Sequence, residues 1–228
     1  MSLLRAVCAA ALLLPALLSA QPRATVPSPG AMLERTARLY TASRGLRAEF
    51  TQRLTNPITS SESQSAGSYL QRGPGVFSVA FSKPAGDRIV SDGTTLWVFV
   101  PSAAPGQVLK MPVGADAPGG IDLVGQFFMS PSRKFAVSDG GTEMLSGATA
   151  RKLVLVPRSD IGFKRAVLWV APGGGELKQL EVTENSGVVR TLRFTSIERG
   201  ARLAADAFTF IVPRGVTVID QAAMMRGM

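Results

Sequence analysis

The sequence predicts a mainly β protein: one antiparallel sheet that curls, preceded by a single amphipathic helix and interrupted by one short, almost wholly apolar segment. Apolar residues alternate with period two from Leu46 onward, Leu46, Ala48 and Phe50 falling on one face and Arg47, Glu49 and Thr51 on the other. Short strand-like segments then recur along the chain, separated by turn-rich stretches at Lys83 to Gly86, Asp92-Gly93, Asp139 to Gly141, Pro172 to Gly175 and Asn185 to Gly187. Helical spacing is confined to a stretch before Gly45 and to the apolar interruption. Regular strands with tight turns argue against a parallel sheet crossed by helices.

Residues 1–20 read as a secretory signal. Arg5 is its positive start, Ala6 to Leu18 its apolar run, and Ser19 and Ala20 the small residues at its end. The run contains Pro15 and is shorter than the roughly 20 residues of a transmembrane helix. Cys8, the single cysteine, lies inside it, and the residues ending there lack the pattern that precedes a lipidated cysteine. The expected mature chain therefore has neither disulfide nor lipid anchor, and is stabilised by packing alone. Residues 21–27 form a flexible lead.

The opening helix is capped by Ser28, with Pro29 at its first position. Met32, Leu33, Thr36, Ala37, Leu39 and Tyr40 make its apolar stripe, and Gly45 stands where a terminal glycine belongs. The pattern is equally that of a static plug and of a movable lid.

Strands are expected at Leu46 onward, Gly67 to Arg72, Gly75 to Ser82, Asp87 to Ser91, Thr95 to Val100 and Gln107 to Met111. A second series covers Lys134 to Ser138, Ala150 to Val156, Arg165 to Val170, Leu177 to Glu184, Val188 to Glu198 and Ala207 to Val212. A two-residue hairpin at Asp92-Gly93 would oppose Ile89 to Leu96 and Arg88 to Trp97, placing Ile89, Leu96 and Val98 on one face and Trp97 and Phe99 on the other. Both faces are then apolar, so both need a cover. The covering candidate is Pro118 to Ser130, where Ile121, Leu123, Val124, Phe127, Phe128 and Met129 crowd together. Gly119, Gly120 and Gly125 would let such a segment shift. The tail after Asp220 is rich in Met and Ala.

The chain contains no histidine, so the commonest general base and metal ligand are both missing. No phosphate-binding glycine pattern opens a helix after a strand, and a serine nucleophile would have only lysine or carboxylate as base. Asp92 and Asp139 sit in expected turns, where Asp is common for backbone reasons. No catalytic residue, metal site or cofactor is expected. The net charge of +9 comes without a stacked-aromatic motif or basic helix, which disfavours nucleic acid and suits an anionic lipid surface or acidic partner.

Three stretches together carry a resemblance. Phe50-Thr51-Gln52 follows the opening helix; Pro74 to Phe81, Pro84, Ile89 to Gly93 and Leu96-Trp97 form the middle; Phe208 to Phe210 with Pro213 to Val218 closes the chain. In order and spacing they resemble the periplasmic outer-membrane lipoprotein carrier family, LolA, from about Met32 to Asp220. The resemblance implies an unclosed antiparallel β-barrel, a half-barrel with an α-helical lid over an apolar cavity, spanning residues 28–220. It implies a periplasmic monomer that accepts acylated lipoproteins from an inner-membrane ATP-driven extractor and delivers them to an outer-membrane receptor. Phe50, Phe77, Val79, Phe81, Ile89, Leu96 and Val98 are the expected cavity lining, and Val124, Phe127, Phe128 and Met129 the expected lid. A carrier for another envelope lipid or glycolipid, and a periplasmic lipoprotein-sensing module, are the alternatives.

A buried acyl chain gains about 0.8 kcal/mol per methylene, so roughly fifteen of them would contribute about 12 kcal/mol. A carrier must hold tails incompletely, and a lid that repacks when empty serves that need. The family places a lid-holding arginine immediately before a proline. Here Gly73 separates Arg72 from Pro74. A regular strand would turn Arg72 to the face away from the lid, and a bulge at Gly73 would restore it.

Overall fold

The computed structural model describes residues 27–113, 122–172 and 175–226. The expected signal, the lead before Pro27, and Pro118 to Ile121 of the apolar segment lie outside them.

Helix α1 (Pro29–Thr41) begins as its sequence dictates: Ser28 Oγ accepts from the Ala31 amide at 3.3 Å, with Pro29 in the first turn. Met32, Leu33, Thr36, Ala37 and Tyr40 form its buried stripe. The helix ends at Ala42 in right-handed conformation, so Gly45 is not its terminal glycine. Gly45 serves a close approach instead. Its carbonyl accepts from the amides of Gly200 and Ala201 at 2.7 and 3.2 Å, and a Cβ there would collide with the Ala201 carbonyl oxygen.

The strands are β1 (Leu46–Asn56), β2 (Ser61–Gly73), β3 (Val76–Lys83), β4 (Ala85–Asp92), β5 (Thr95–Phe99), β6 (Gln107–Pro112), β7 (Phe135–Leu145), β8 (Ala148–Pro157), β9 (Phe163–Val170), β10 (Leu177–Glu184), β11 (Val189–Arg199) and β12 (Thr217–Asp220). They form one 12-stranded sheet in the order β12-β6-β5-β4-β3-β2-β1-β11-β10-β9-β8-β7. The edge strands β12 and β7 do not pair, so the barrel stays open. Pairing of β1 with β11, from Leu46 opposite Arg199 to Thr55 opposite Val189, welds the two halves together. Short helices α2 (Pro131–Lys134) and α3 (Gln221–Arg226) precede β7 and follow β12.

Three local expectations are corrected. Asp139 to Gly141 is not a hairpin turn but a bulge inside β7, where the pairing with β8 shifts register between Asp139 and Thr142. The hairpin lies farther on, at Ser146-Gly147, both with positive φ. The turn between β4 and β5 is centred one residue later than expected: Ser91 opposes Leu96 and Ile89 opposes Val98. Asp92 Oδ1 draws it there by accepting from the amides of Thr94 and Thr95, both at 2.8 Å. Because the partners move by two residues, Ile89, Leu96 and Val98 keep their common face. Finally, Ala207 to Val212 is not a strand. A 3₁₀ turn at Ala205–Phe208 starts the segment, and the edge strand is Thr217–Asp220, which pairs parallel to β6.

That last correction explains the doubly apolar β5. Phe210 lies on the outer face with its ring 5.4 Å from Trp97 and 5.9 Å from Phe99. The inner face carries the main core, from α1 across β1 to β4 and β8 to β10. A smaller cluster of Leu145, Ala150, Val167 and Trp169 packs on the opposite face of the β7 to β9 end.

Candidate apolar cleft and its lid

The half-barrel encloses a cleft with about 480 Å³ not filled by protein atoms, its open mouth included. Its walls are alternate inward residues of adjacent strands: Phe50 on β1, Tyr69 on β2, Val79 and Phe81 on β3, Ile89 on β4, Leu180 on β10, and Leu192 and Phe194 on β11. Phe50 and Phe81 meet edge to face at 5.8 Å. Leu123 closes one end, and Gln52 and Arg190 stand as the polar lining.

Of the residues expected to line the cavity, Phe50, Val79, Phe81 and Ile89 do so. Phe77 and Leu96 share their inward face but are filled over, 1% and 0% exposed, Phe77 lying parallel to Tyr69 at 6.4 Å. Val98 is partly buried against the same core, also outside the cleft lining.

The segment expected as the lid is a π-helical turn, Val124–Phe128, and polar groups join it and the residues before it to the sheet. Gln71, at the inner end of β2, uses its full hydrogen-bonding capacity there. Its Nε2 donates to Asp122 Oδ1 at 2.6 Å and to the Gly73 carbonyl at 2.9 Å; its Oε1 accepts from the Tyr69 hydroxyl at 2.5 Å and the Val124 amide at 3.2 Å. Tyr69 accepts in turn from the Leu123 amide at 3.1 Å. Asp122 also receives the amides of Gly75 and Gly125, each at 2.8 Å. A side chain at Gly125 would drive its Cβ into Asp122 Oδ2, so glycine is needed for this closure. From the far side, Lys134 Nζ donates to the carbonyls of Gly125 and Gln126. Burial pushes the Tyr69 hydroxyl well above its usual range, which keeps it a donor, and lowers the Lys134 ammonium, with Asp122 opposing the latter shift.

The lid's apolar side chains are gripped by the fold. Phe128 stacks on Tyr40 of α1 at 4.7 Å, and Phe127 lies 5.6 Å from Phe163 and 6.1 Å from Phe135. Val124, Phe127 and Phe128 are buried, whereas Met129 is extended and 40% exposed.

Arg72 reaches the C-terminal segment. A register shift does occur between Gln71 and Gly73 where β2 meets β3, yet the Arg72 side chain stays on the outer surface. Its Nη2 donates to the Ala204 carbonyl at 3.1 Å, and its guanidinium lies 4.7 Å from the Phe208 ring centre. It clamps the C-terminal segment. The neighbouring inward residue, Gln71, makes the lid contacts instead.

The sequence profile described as "Outer membrane lipoprotein carrier protein LolA" matches residues 41–118 and 126–211, most of the chain. The chain belongs to the LolA family. An outer-membrane lipoprotein carrier protein of Methylibium petroleiphilum is 31% identical over 182 residues, covering 77% of this chain and 82% of the relative. One from Cupriavidus necator is 27% identical over 205 residues, covering 86% and 90%. The fold is shared with an uncharacterized conserved protein of Thermus thermophilus, at a TM-score of 0.53 and 14% identity over 83% of this chain and 97% of that one. LolA-family carriers are periplasmic, which places this protein in the periplasm.

Sequence reasoning missed Tyr69, Gln71, Asp122 and Arg190. A signal existed for one of them: Asp122, three residues before Gly125 and just ahead of an apolar run, has the spacing of a helix-capping residue. For Gln71 and Arg190 the inward face follows from parity with Tyr69 and Leu192, but their partners come from distant strands.

Proposed function

We propose that this LolA-family protein carries acylated lipoproteins through the periplasm, sheltering their acyl chains in the apolar cleft without catalysing a reaction on them. The observation that carries the reading is an almost entirely apolar cleft bounded by Leu123, at the start of a segment that polar side chains attach to the sheet. Apolar walls favour tails without directional demand, while a clasp built on the side chains of Gln71, Tyr69 and Asp122 can release without dismantling the sheet. Phe50, Tyr69, Val79, Phe81, Ile89, Leu180, Leu192 and Phe194 are the acyl contacts in this reading. Curated relatives carrying the name outer-membrane lipoprotein carrier protein support it. In the full cycle a monomer receives cargo from an inner-membrane ATP-driven extractor and releases it to an outer-membrane receptor. Closing the lid again over the emptied cleft offsets part of the burial energy of the tails, so delivery runs downhill.

The test is to purify the protein from its native periplasm and identify bound molecules by mass spectrometry. Triacylated or diacylated lipoproteins support the reading. Free phospholipid or glycolipid alone would mean a carrier for another envelope lipid.

A further inference from the structure

At the end of the cleft away from Leu123 a hydrogen-bonded polar belt crosses four neighbouring strands on their inner face. Gln52 Nε2 of β1 donates to Ser65 Oγ of β2 at 3.0 Å, and Gln52 Oε1 accepts from Arg190 Nη1 of β11 at 3.2 Å. Arg190 Nη2 then donates to Glu184 Oε1 of β10 at 3.1 Å. Gln52 and Arg190 both line the cleft, next to Phe50 and Leu192. Two nitrogens of the guanidinium are thus engaged in the belt. The third is not: Arg190 Nε is buried and has no hydrogen-bond partner among the described residues.

A buried donor without an acceptor is costly, and more so on a charged group, so such a group in an otherwise satisfied belt calls for a ligand atom. The belt itself holds the guanidinium in place by its Nη atoms, leaving Nε–H as the donor still to be matched. The ligand that fits has an apolar body to lie along Phe50, Val79 and Phe81 and an uncharged or anionic oxygen acceptor at its end. We propose that Arg190 Nε–H, buried in the closed form, donates to a carbonyl oxygen of the bound acyl group once the cleft widens to admit it, so that the cleft distinguishes acyl esters and amides from plain alkyl chains. The proposal rests on the acyl-carrier reading and specifies its ligand chemistry: the belt sets how deep a tail enters, because the carbonyl stops where Arg190 meets it.

The experiment compares two probes on the full mature protein: a cysteinyl peptide bearing two palmitoyl esters, and its analogue with alkyl ethers of equal length, each displacing a hydrophobic dye from the cleft. A hydrogen bond from a charged donor predicts that the ester binds about ten-fold or more tightly than the ether. Arg190→Met, which keeps the apolar stem and removes the donor, should bring the two affinities together. Equal binding of both probes to the unsubstituted protein overturns the proposal while leaving the carrier reading standing, and that arm needs no variant to fold. A preference that survives in Arg190→Met overturns it as well. If neither probe displaces the dye, the acyl-carrier reading fails and takes the proposal with it.

Discussion

Gln71 and Asp122 meet across the seam between sheet and lid, the carboxamide donating to the carboxylate over 2.6 Å while the other Asp122 oxygen receives the Gly75 amide. Replacing Gln71 with Leu strands the Tyr69 hydroxyl proton and the Val124 amide, and leaves Asp122 Oδ1 with the Gly125 amide alone. Each buried orphan costs roughly 1–3 kcal/mol, enough to shift a two-state lid by ten-fold or more. Gln71→Leu should therefore increase binding of a hydrophobic dye to the empty protein without loss of far-ultraviolet dichroism. In Gln71→Glu two carboxylates would share that short contact, which raises the proton affinity of the closed form. Its dye binding should exceed that of the parent at neutral pH and approach it as the pH is lowered. A closed lid at neutral pH in both variants would show that the clasp is not what holds it.

Arg72→Leu should behave differently. Losing the bond to the Ala204 carbonyl and the stack on Phe208 costs about 1–2 kcal/mol of local stability. The expected signature is faster amide exchange between Ala204 and Phe210, with dye binding unchanged. Increased dye binding would tie Arg72 to the lid after all.

Phe77 and Phe81 occupy the same face of β3 with opposite roles. Phe77→Ala opens a hole in the filled core and should cost roughly 3–5 kcal/mol in denaturant unfolding. Phe81 borders the cleft, so Phe81→Ala should cost less stability and weaken acyl binding. Calorimetry and dye displacement on the two variants decide it; a weaker acyl affinity in a still-folded Phe77→Ala than in Phe81→Ala would reverse the assignment.

The chain has only two tyrosines, Tyr40 and Tyr69, and burial raises both, Tyr40 to about 12. In the unfolded chain each ionises near about 10. Above that pH the unfolded state loses protons that the folded state keeps, so folding stability falls as pH rises, by up to about 1.4 kcal/mol per unit for each tyrosine. Near about pH 11, ultraviolet titration should show little tyrosinate in the folded protein where the denatured chain is largely ionised. Tyr69→Phe should flatten the alkaline loss of stability. Tyrosinate appearing near pH 10 in folded protein would contradict the burial of both hydroxyls.

Period-two alternation, the Ser28-Pro29 start and the turn residues were enough to read a curled antiparallel sheet behind one helix, and the order of motifs was enough to recognise the family. Local chemistry carries that information: alternation names the apolar face of a strand, and a capping side chain acts within a turn. It also placed Phe50, Val79, Phe81 and Ile89 on the inward face. Tertiary structure decided which inward residues face space and which face one another. Phe77 and Phe81 have the same parity, but Phe77 lies against Tyr69 and Phe81 on the border of the cleft. It also decided the lid contact. A bulge beside Arg72 was foreseeable from Gly73, but the Arg72 side chain found the Ala204 carbonyl, contributed by the C-terminal segment. Gln71 found Asp122, 51 positions along the chain. Polar pairs of this kind are set by where distant segments come to rest, and no periodicity in the sequence records that distance.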